Sequence, residues 1–261
     1  MIKSLNTAAT GMLAQQNNMD VIANNIANVN TYGFKKGRAE FEDLIYHNLK
    51  DPGQASGLQS VTPTGVQTGL GVRTSSIQKD FSMGQSVQTK NPLDLQIEGS
   101  GFFQVRTPDG EIAYTRDGSF KKDGQGRIVD KNGNALIPDL TIPPTSVGIE
   151  ITPAGEVKCL HSNNAEPQVL GQIDIVNFIN PAGLKNVGKN LFVSTAASGQ
   201  PAQARPGTNG LGFLGQGEIE TSNVNIVDEM VNMIAAQRAY ETNSKVIQTS
   251  DQMLQTAVNV K

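Results

Sequence analysis

The chain has 261 residues, 21 Lys and Arg, 24 Asp and Glu and a formal net charge of -3. Because no basic excess is available to neutralise phosphates, this composition argues against nucleic acid as a partner. A mean hydropathy of -0.30 and the lack of a long apolar stretch argue against direct membrane insertion. The single cysteine, Cys159, excludes an internal disulfide and a metal site built from several cysteines.

The first predicted element is a long helix over residues 2–29, with apolar side chains at seven-residue spacing. This repeat is typical of a coiled-coil seam, so we predict an apolar stripe that meets other helices during self-assembly. The stripe consists of Leu5, Met12, Met19, Ile22 and Ile26. No continuous apolar stretch with a cleavage site opens the chain, which predicts the absence of a cleaved signal peptide and, taken alone, a cytoplasmic protein.

A cluster of asparagines followed by a glycine ends this helix. Asparagine competes for backbone hydrogen bonds and tolerates the left-handed conformation, while Gly33 permits a sharp change of chain direction. On this hypothesis, Asn25→Ala and Gly33→Val damage assembly but leave the fold of the following domain intact. The predicted joint between the helix and that domain is formed by Asn24, Asn25, Asn28, Thr31, Gly33 and Phe34.

Residues 31–75 form a predicted connecting segment of mixed character. Residues 38–48 are compatible with a short helix that packs at the end of the first one. Residues 50–71 are rich in Gly, Pro, Ser, Thr and Gln, which is typical of a flexible linker. Their apolar residues fit an extended hairpin equally well, and both interpretations stay open. The apolar residues in question are Val61, Val66, Leu70 and Val72.

Residues 76–221 have the alternation and turn signals of a β-rich domain. Asp-Gly and Asn-Gly pairs, which supply the positive φ angles of tight hairpins, begin at Asp109, Asp117, Asp123 and Asn132. Many short strands without an intervening helical pattern predict an all-β domain, barrel-like or sandwiched. The predicted strands lie at residues 93–97, 102–105, 111–114, 127–129, 148–151, 156–160, 173–178 and 191–193.

A second helix is predicted within residues 222–261. Asn225 caps its start, and carboxylates in the first turn favour the helix dipole. We expect it to pack with the first helix, residues 1–30, as a coiled-coil-like pair, which gives an α+β fold with an all-β middle domain. Because a two-helix pair buries little surface, we expect both termini to be disordered in the monomer and to order on assembly. The second seam consists of Ile226, Met233, Tyr240, Ile247 and Leu254.

No catalytic, cofactor-binding or metal-binding site is predicted. His47 and His161 lack the spacing of metal ligands, and Cys159 lacks a positioned base. The Gly-x-Gly-x-x-Gly run at residues 210–215 lacks the strand and helix that a dinucleotide site requires. Residues 130–134 hint at a calcium loop, but a hairpin turn explains them better. The sequence therefore predicts a protein without enzymatic activity and without cofactors.

Several stretches of the chain have a combined pattern that is more specific than any one of them. They are Ala-Asn-Asn-Ile-Ala-Asn at 23–28, Gly-Ser-Gly-Phe-Phe-Gln-Val at 99–105, Tyr-Thr-Arg-Asp-Gly-Ser-Phe at 114–120, Glu-Thr-Ser-Asn-Val-Asn at 220–225 and Gln-Arg-Ala-Tyr-Glu at 237–241. Together they resemble the bacterial flagellar basal-body rod and hook protein family, and the resemblance extends over essentially the whole chain. It is strongest to the distal-rod members, because the length is similar and residues 46–71 look like their extra stretch. Another rod or hook subunit is the alternative within the family.

The resemblance implies a structural subunit of the distal rod that self-assembles into a stiff helical tube and transmits torque to the hook. It implies contacts with further copies of the chain, proximal rod subunits, the hook protein or its junction, the P- and L-ring proteins and the type III export apparatus. It also implies a place in the periplasm-spanning rod after export without a cleaved signal, which replaces the cytoplasmic interpretation. Deletion of residues 51–66 is then expected to give curved or over-long rods.

A periplasmic glycan-binding module is the alternative from a different functional class. In that case the β-rich domain would bind cell-wall glycan and the helices would only oligomerise. A glycan groove ordinarily needs exposed aromatic side chains, and a chain with no Trp and 4 Tyr is poorly equipped for it.

Overall fold

The structure is a computed structural model that describes residues 2–51, 64–161 and 167–259. Two long helices, α1 at Ile2–Ala27 and α2 at Ile226–Asn259, flank a region of short strands. The strands in the described residues are β1 (Gly37–Asp43), β2 (Tyr46–Lys50), β3 (Val66–Gly69), β4 (Val72–Lys79), β5 (Ser86–Gln88), β6 (Leu95–Glu98), β7 (Phe103–Arg106), β8 (Ile112–Thr115), β9 (Lys121–Lys122), β10 (Ile128–Val129), β11 (Ala135–Leu136), β12 (Ser146–Ile151), β13 (Glu156–His161), β14 (Gln168–Gln172), β15 (Ile175–Asn177), β16 (Lys185–Gly188), β17 (Leu191–Val193), β18 (Ala202–Ala204), β19 (Phe213–Gln216) and β20 (Glu218–Glu220).

The chain divides into two compact units. The helical unit comprises Met1–Ala27, Gly37–Lys79 and Asn225–Lys261. The β unit comprises Asn28–Lys36 and Asp80–Val224. The chain therefore passes between the two units four times. The predicted α+β class, with two packed terminal helices and a β-rich middle, is confirmed.

In the helical unit, α1 packs against α2 and also against a ribbon formed by β1 and β4. At the contact with α2, Gly11 lies against the side chain of Asn243, and a Cβ on Gly11 would be 2.9 Å from its Nδ2. Towards the ribbon, Asn17 Nδ2 donates a hydrogen bond to Thr74 Oγ1 at 3.0 Å. Small and polar side chains thus allow α1 to lie close to two different partners.

The ribbon replaces the short helix predicted for residues 38–48, and that prediction is wrong. β1 pairs antiparallel with β4, and β2 and β3 continue the ribbon as a hairpin. On the exposed face, Glu40 accepts a hydrogen bond from Ser76 at 3.0 Å, between residues 36 positions apart. Cross-strand pairs of this kind stabilise strands through partners that a local helical pattern does not reveal. Of the residues that favoured a hairpin, Val66 lies in β3, and Val61 lies outside the described residues.

The β unit is built around an open seven-stranded sheet in the order β16-β17-β8-β7-β11-β10-β9. A three-stranded sheet, β12-β13-β14, and the pairs β15-β18, β19-β6 and β20-β5 complete it. Inward-facing aliphatic side chains from these sheets form the main hydrophobic core. A second buried cluster is aromatic, with edge-to-face ring contacts that favour a fixed geometry. Its members are Phe102, Tyr114, Val176, Phe178 and Phe192.

All eight strands predicted in this region overlap observed strands. Gly110 and Gly133 adopt positive φ, as predicted for hairpin turns, whereas in the turn that begins at Asp123 the positive φ falls on Gly126. The pair Asp117-Gly118 is not such a turn. Gly118 lies directly against β6, where a Cβ would be 1.6 Å from the Leu95 carbonyl oxygen, so close backbone approach explains this glycine.

Candidate assembly site

Asn25 joins three segments of the helical unit. Its side chain brackets Gly37: Nδ2 donates to the Gly37 carbonyl at 2.8 Å, and Oδ1 accepts from the Gly37 amide at 2.8 Å. The same Nδ2 donates to Glu229 Oε2 at 3.2 Å, in the first turn of α2. Asn25 is 2% exposed and Glu229 9%. One buried side chain therefore connects the end of α1, the start of β1 and the start of α2.

The residues after α1 belong to the β unit and fold into a tight turn. The Thr31 amide donates to the Asn28 carbonyl at 3.1 Å, and the Phe34 amide donates to the Thr31 carbonyl at 3.2 Å. The Gly33 amide donates to the backbone oxygen of Glu220 at 2.9 Å. Phe34 is half-buried. The joint predicted from the asparagine cluster is thus split between the two units, with Asn24 and Asn25 in one and the other four residues in the other.

Gly33 is required both by its backbone angle and by its surroundings. Its φ is +67°, and a Cβ at this position would lie 2.5 Å from the Asp117 amide nitrogen and 2.7 Å from the Arg116 carbonyl carbon. The expectation that Gly33→Val leaves the β domain intact therefore does not fit the geometry, because the added side chain collides with the backbone of that domain.

A buried ion cluster lies next to this turn, and no motif in the sequence indicated it. Lys35 Nζ lies 2.5 Å from Glu220 Oε1 and donates to the Ser82 carbonyl at 2.7 Å. Arg116 Nη1 lies 3.5 Å from Glu220 Oε2, and Nη2 donates to the Gly99 carbonyl at 2.7 Å. The charged residues are up to 185 positions apart in sequence. No spacing pattern in the sequence connects them.

Burial dominates the electrostatics of this cluster. Lys35 and Glu220 are each 1% exposed, and Arg116 is 4% exposed. Burial lowers the pKa of Lys35, and the neighbouring Glu220 carboxylate opposes that shift. Burial also lowers the pKa of Arg116. Opposite charges at hydrogen-bond distance let the three side chains stay inside the protein.

Asn223 links the places where the β unit's two chain segments, Asn28–Lys36 and Asp80–Val224, begin or end. Its Oδ1 accepts a hydrogen bond from the Lys36 amide at 2.8 Å, and its Nδ2 donates to the Asp80 carbonyl at 2.9 Å. The Asp80 amide in turn donates to the Lys36 carbonyl at 2.9 Å. Three of the four ends at which the chain leaves the β unit are therefore bonded to one another.

Most of the predicted seam residues are partly buried in the helical unit. Ile22 is buried at 5% exposure, whereas Ile226 and Tyr240 are 45% and 38% exposed. The remaining seam residues are half-buried, namely Leu5, Met12, Met19, Ile26, Met233, Ile247 and Leu254. Their heptad spacing is also that of an intramolecular pairing, so their role between subunits stays a prediction.

A second apolar stripe lies at the start of α2, and the heptad pattern identified Ile226 alone among its members. Its members recur at spacings of three and four, so they share one side of the helix. Each is between 45% and 67% exposed. The exposed stripe consists of Ile226, Val227, Met230, Val231 and Ile234.

The β2–β3 hairpin is exposed along its whole described length. All five residues of β2 and all four of β3 are exposed. Tyr46, Leu49 and Val66 are 50%, 64% and 51% exposed. A two-stranded hairpin without a packed face is at most marginally stable by itself, so this element has the character of a contact surface.

Family comparisons match three regions of the chain, which include the exposed stripe on α2 but not the β2–β3 hairpin. Residues 5–35 match the family described as flagella basal body rod protein. Residues 96–159 match the D1 domain of the flagellar hook proteins FlgE/F/G, and residues 216–260 match the C-terminal region of the FlgEFG basal body rod proteins. The matched regions contain α1 and the joint, part of the β unit, and α2.

Full-length relatives carry the same description. The flagellar basal-body rod protein FlgG of Buchnera aphidicola subsp. Schizaphis graminum is 50% identical over 255 residues, which is 98% of both chains. FlgG of Borreliella burgdorferi is 49% identical over 263 residues, covering 100% of this chain and 99% of that protein. The chain belongs to the FlgG family of flagellar basal-body rod proteins. The flagellar hook protein FlgE of Salmonella typhimurium is only 25% identical, over an alignment of 421 positions.

Membership of the FlgG family confirms the prediction of a structural distal-rod subunit, and it places the protein in the flagellar basal body among other flagellar components. Most of α1 and the joint lie in the first matched region, residues 5–35, and α2 with its exposed stripe lies in the last, residues 216–260. Within the described residues, no helix combines the length and hydropathy that a bilayer-spanning segment requires.

Residues of this FlgG-family protein that the sequence offered as candidates for catalysis or ligand binding are buried or take part in turn and strand contacts. Cys159 is fully buried, and burial raises the pKa of its thiol. Asp130 Oδ1 accepts hydrogen bonds from the amides of Asn132 and Asn134, so this carboxylate closes its own turn. Residues 210–215 lead into β19, which pairs with β6, and not into a helix. His161 hydrogen-bonds Gln168 at 2.9 Å across neighbouring strands.

Proposed function

We propose that this FlgG-family protein is a non-enzymatic subunit of the distal rod whose copies polymerise into a stiff helical tube that transmits torque to the hook. The full-length identity of about half with FlgG proteins of two organisms carries the proposal. In this tube, residues 1–30 and 222–261 form the inner helical domain. Residues 76–221 form the outer β domain, with residues 31–75 between them.

The exposed stripe on α2 supports self-assembly. Five large apolar side chains lie within nine residues of one helix and are about half exposed in the single chain. Each Å² of apolar surface removed from water contributes about 25 cal/mol, so a contact that covers them is favourable. If α2 of one copy meets a different surface of the next, the contact is heterologous and generates a helical polymer. The half-buried seam residues hold α1 and α2 together for that contact.

The further partners belong to the same proposal. The subunit contacts proximal rod subunits, the hook protein or its junction and the P- and L-ring proteins, and it reaches the periplasm through the type III export apparatus without a cleaved signal. The family of the chain supports these assignments, because a rod subunit must meet components at both ends and around its surface.

A glycan-binding module is less well supported. In the described part of the β unit, the large aromatic side chains at the surface are Tyr32 and Phe213, at 41% and 54% exposure. They belong to different segments, a turn after α1 and strand β19. The aromatic cluster around Phe102 is buried in the core and is not available to a sugar.

The test places a charge on the exposed stripe. Val231→Lys, at a position 60% exposed, should leave the circular dichroism of the monomer unchanged but prevent the formation of tubular polymers seen by electron microscopy. Gln248→Lys places the same charge at an exposed position of α2 outside the stripe and should polymerise normally. Polymerisation of Val231→Lys at the wild-type concentration would contradict the assigned surface. A failure of wild-type chains to polymerise, together with retention on peptidoglycan, would favour the glycan-binding module.

A further inference from the structure

The buried ion cluster contains two positively charged side chains but one negatively charged side chain. Lys35 and Arg116 face a single carboxylate, Glu220, and all three are at most 4% exposed. Arg116 alone would neutralise Glu220. The other carboxylate close to Lys35, that of Asp80, is partly exposed and pairs with Lys36 at 3.6 Å. Because burial of an additional charge is unfavourable, net stabilisation of the fold does not explain the second cation.

The contacts of Lys35 indicate what the ammonium does. It hydrogen-bonds Ser82 on the segment that follows Asp80 and Glu220 on the segment that precedes Val224. Both segments end where the chain leaves the β unit, and Lys35 itself is one residue from another such end. Glu220 Oε1 also accepts from the Gly84 amide at 2.8 Å. The cluster thus connects three chain segments at their ends, in addition to the Asn223 contacts.

We propose that Lys35 is a positioning residue that clamps these three segments together within the β unit, so that the ends leaving the unit cannot move independently. The mechanical consequence rests on the proposed rod function: a subunit that transmits torque must not yield where its chain leaves a domain. A clamp formed by buried hydrogen bonds resists such movement, whereas separate loop ends would not. Lys35 thereby stiffens the subunit without being needed for the β fold.

The experiment compares full-length Lys35→Met and Lys158→Met with wild type by hydrogen exchange of the monomer. Methionine fills a similar volume and leaves the neutral Arg116–Glu220 pair, so the denaturation midpoint should stay unchanged or rise. The amides of Gly33, Asp80 and Gly84 should exchange about tenfold faster, since two buried hydrogen bonds are lost. Amides of β7 and β8 should be unaffected. Lys158, paired with Glu156 at 3.5 Å on β13, is the control for the substitution itself.

A second variant, Asn223→Ala, removes neutral contacts from the same three segments and should accelerate the same amides even if Lys35→Met does not fold. Unchanged exchange at Gly33 and Gly84 in the folded Lys35 variant would overturn the clamp. Equal acceleration in β7 and β8 would also overturn it, because Lys35 would then act on global stability. Polymers of Lys35→Met should form and have a shorter persistence length than those of Lys158→Met. If the wild-type chain forms no polymer, the proposed rod function is wrong. The exchange data on the monomer still test whether Lys35 clamps the three segments.

Discussion

Neighbouring asparagines at the end of α1 differ in what they contact. Asn25 is 2% exposed and holds both backbone groups of Gly37, whereas Asn24 is exposed. Loss of the Asn25 amide leaves buried backbone donors and acceptors without partners, which costs about 1–3 kcal/mol. The sequence alone marked both asparagines as helix-ending residues, and only the three-dimensional contacts separate their roles.

We therefore expect Asn25→Ala to destabilise the helical unit and leave the β unit folded. In hydrogen exchange of the monomer, amides of β1 and β4 should lose protection, while amides of β7 and β8 keep theirs. Asn24→Ala, at an exposed position, is the matched control and should lose less protection than Asn25→Ala. Equal behaviour of the two variants would show that the Asn25 contacts do not contribute measurably.

Gly33 allows the cost of a positive φ to be separated from the cost of a collision. Gly33 and Gly110 both have positive φ, at +67° and +84°, but only Gly33 has backbone atoms where a Cβ would lie. Gly110→Ala should cost about 1–2 kcal/mol, the strain of a left-handed alanine. Gly33→Ala should cost distinctly more in urea denaturation of the β unit. Equal losses for the two variants would mean that the backbone near Asp117 yields without cost.

The buried lysine predicts a pH dependence with a definite sign. Burial lowers the folded-state pKa of Lys35 below its unfolded value of 10.5. Between these two pKa values the unfolded chain binds more protons, so the free energy of unfolding rises with pH in that window and is lowest below it. Lys79, whose pKa is also lowered by burial, adds a slope of the same sign. Urea denaturation at several pH values in this window should show that the free energy of unfolding rises less steeply with pH for Lys35→Met than for wild type. Equal slopes for the two proteins would contradict the prediction.

At the scale of elements, the sequence predicted what depends on local pattern. Heptad spacing gave both helices, and alternation with Asp-Gly turns gave the strands of the β unit. The ribbon was missed because β1 is stabilised by β4, and the paired residues run from Asp43 with Val72 to Gly37 with Lys79, far apart in sequence. The exposed stripe on α2 was missed because four of its five residues, all except Ile226, fall between the heptad positions. The Lys35 cluster was missed because its members share no motif and meet only in the folded β unit.

The long helices are expected to be only weakly stable in the single chain. Along the 34 residues of α2, the buried residues are Glu229, Ala236 and Ser250, which offer little apolar surface. Helices without an extensively packed face are marginal in water. Amides across residues 12–26 and 233–254 should therefore exchange rapidly in the monomer and become protected in the polymer. Amides of β7 and β8 should be protected in both states. Strong protection of the helices in the monomer would contradict this expectation.

At the scale of the whole molecule, the β2–β3 hairpin can be removed without disturbing the described parts of the fold. β1 and β4 end their pairing at Asp43 with Val72, and the Leu44 amide donates to the Gly71 carbonyl at 2.9 Å just beyond. A short turn can therefore replace residues 46–69. Since all residues of strands β2 and β3 are exposed, we expect the hairpin to contribute contacts to neighbours in the rod and little to the stability of the single chain.

Replacing residues 46–69 by a two-residue turn should leave the thermal midpoint of the monomer unchanged and give curved or over-long rods. The reason is that neighbouring subunits lose a lateral contact that opposes bending, while the α2 contacts that build the tube remain. Leu49→Ser combined with Val66→Ser keeps the hairpin but removes apolar surface at 64% and 51% exposed positions. If this double variant also gives curved rods, the apolar contacts of the hairpin provide the stiffness. Straight rods of ordinary length after the deletion, measured by electron microscopy, would show that the hairpin does not determine rod shape.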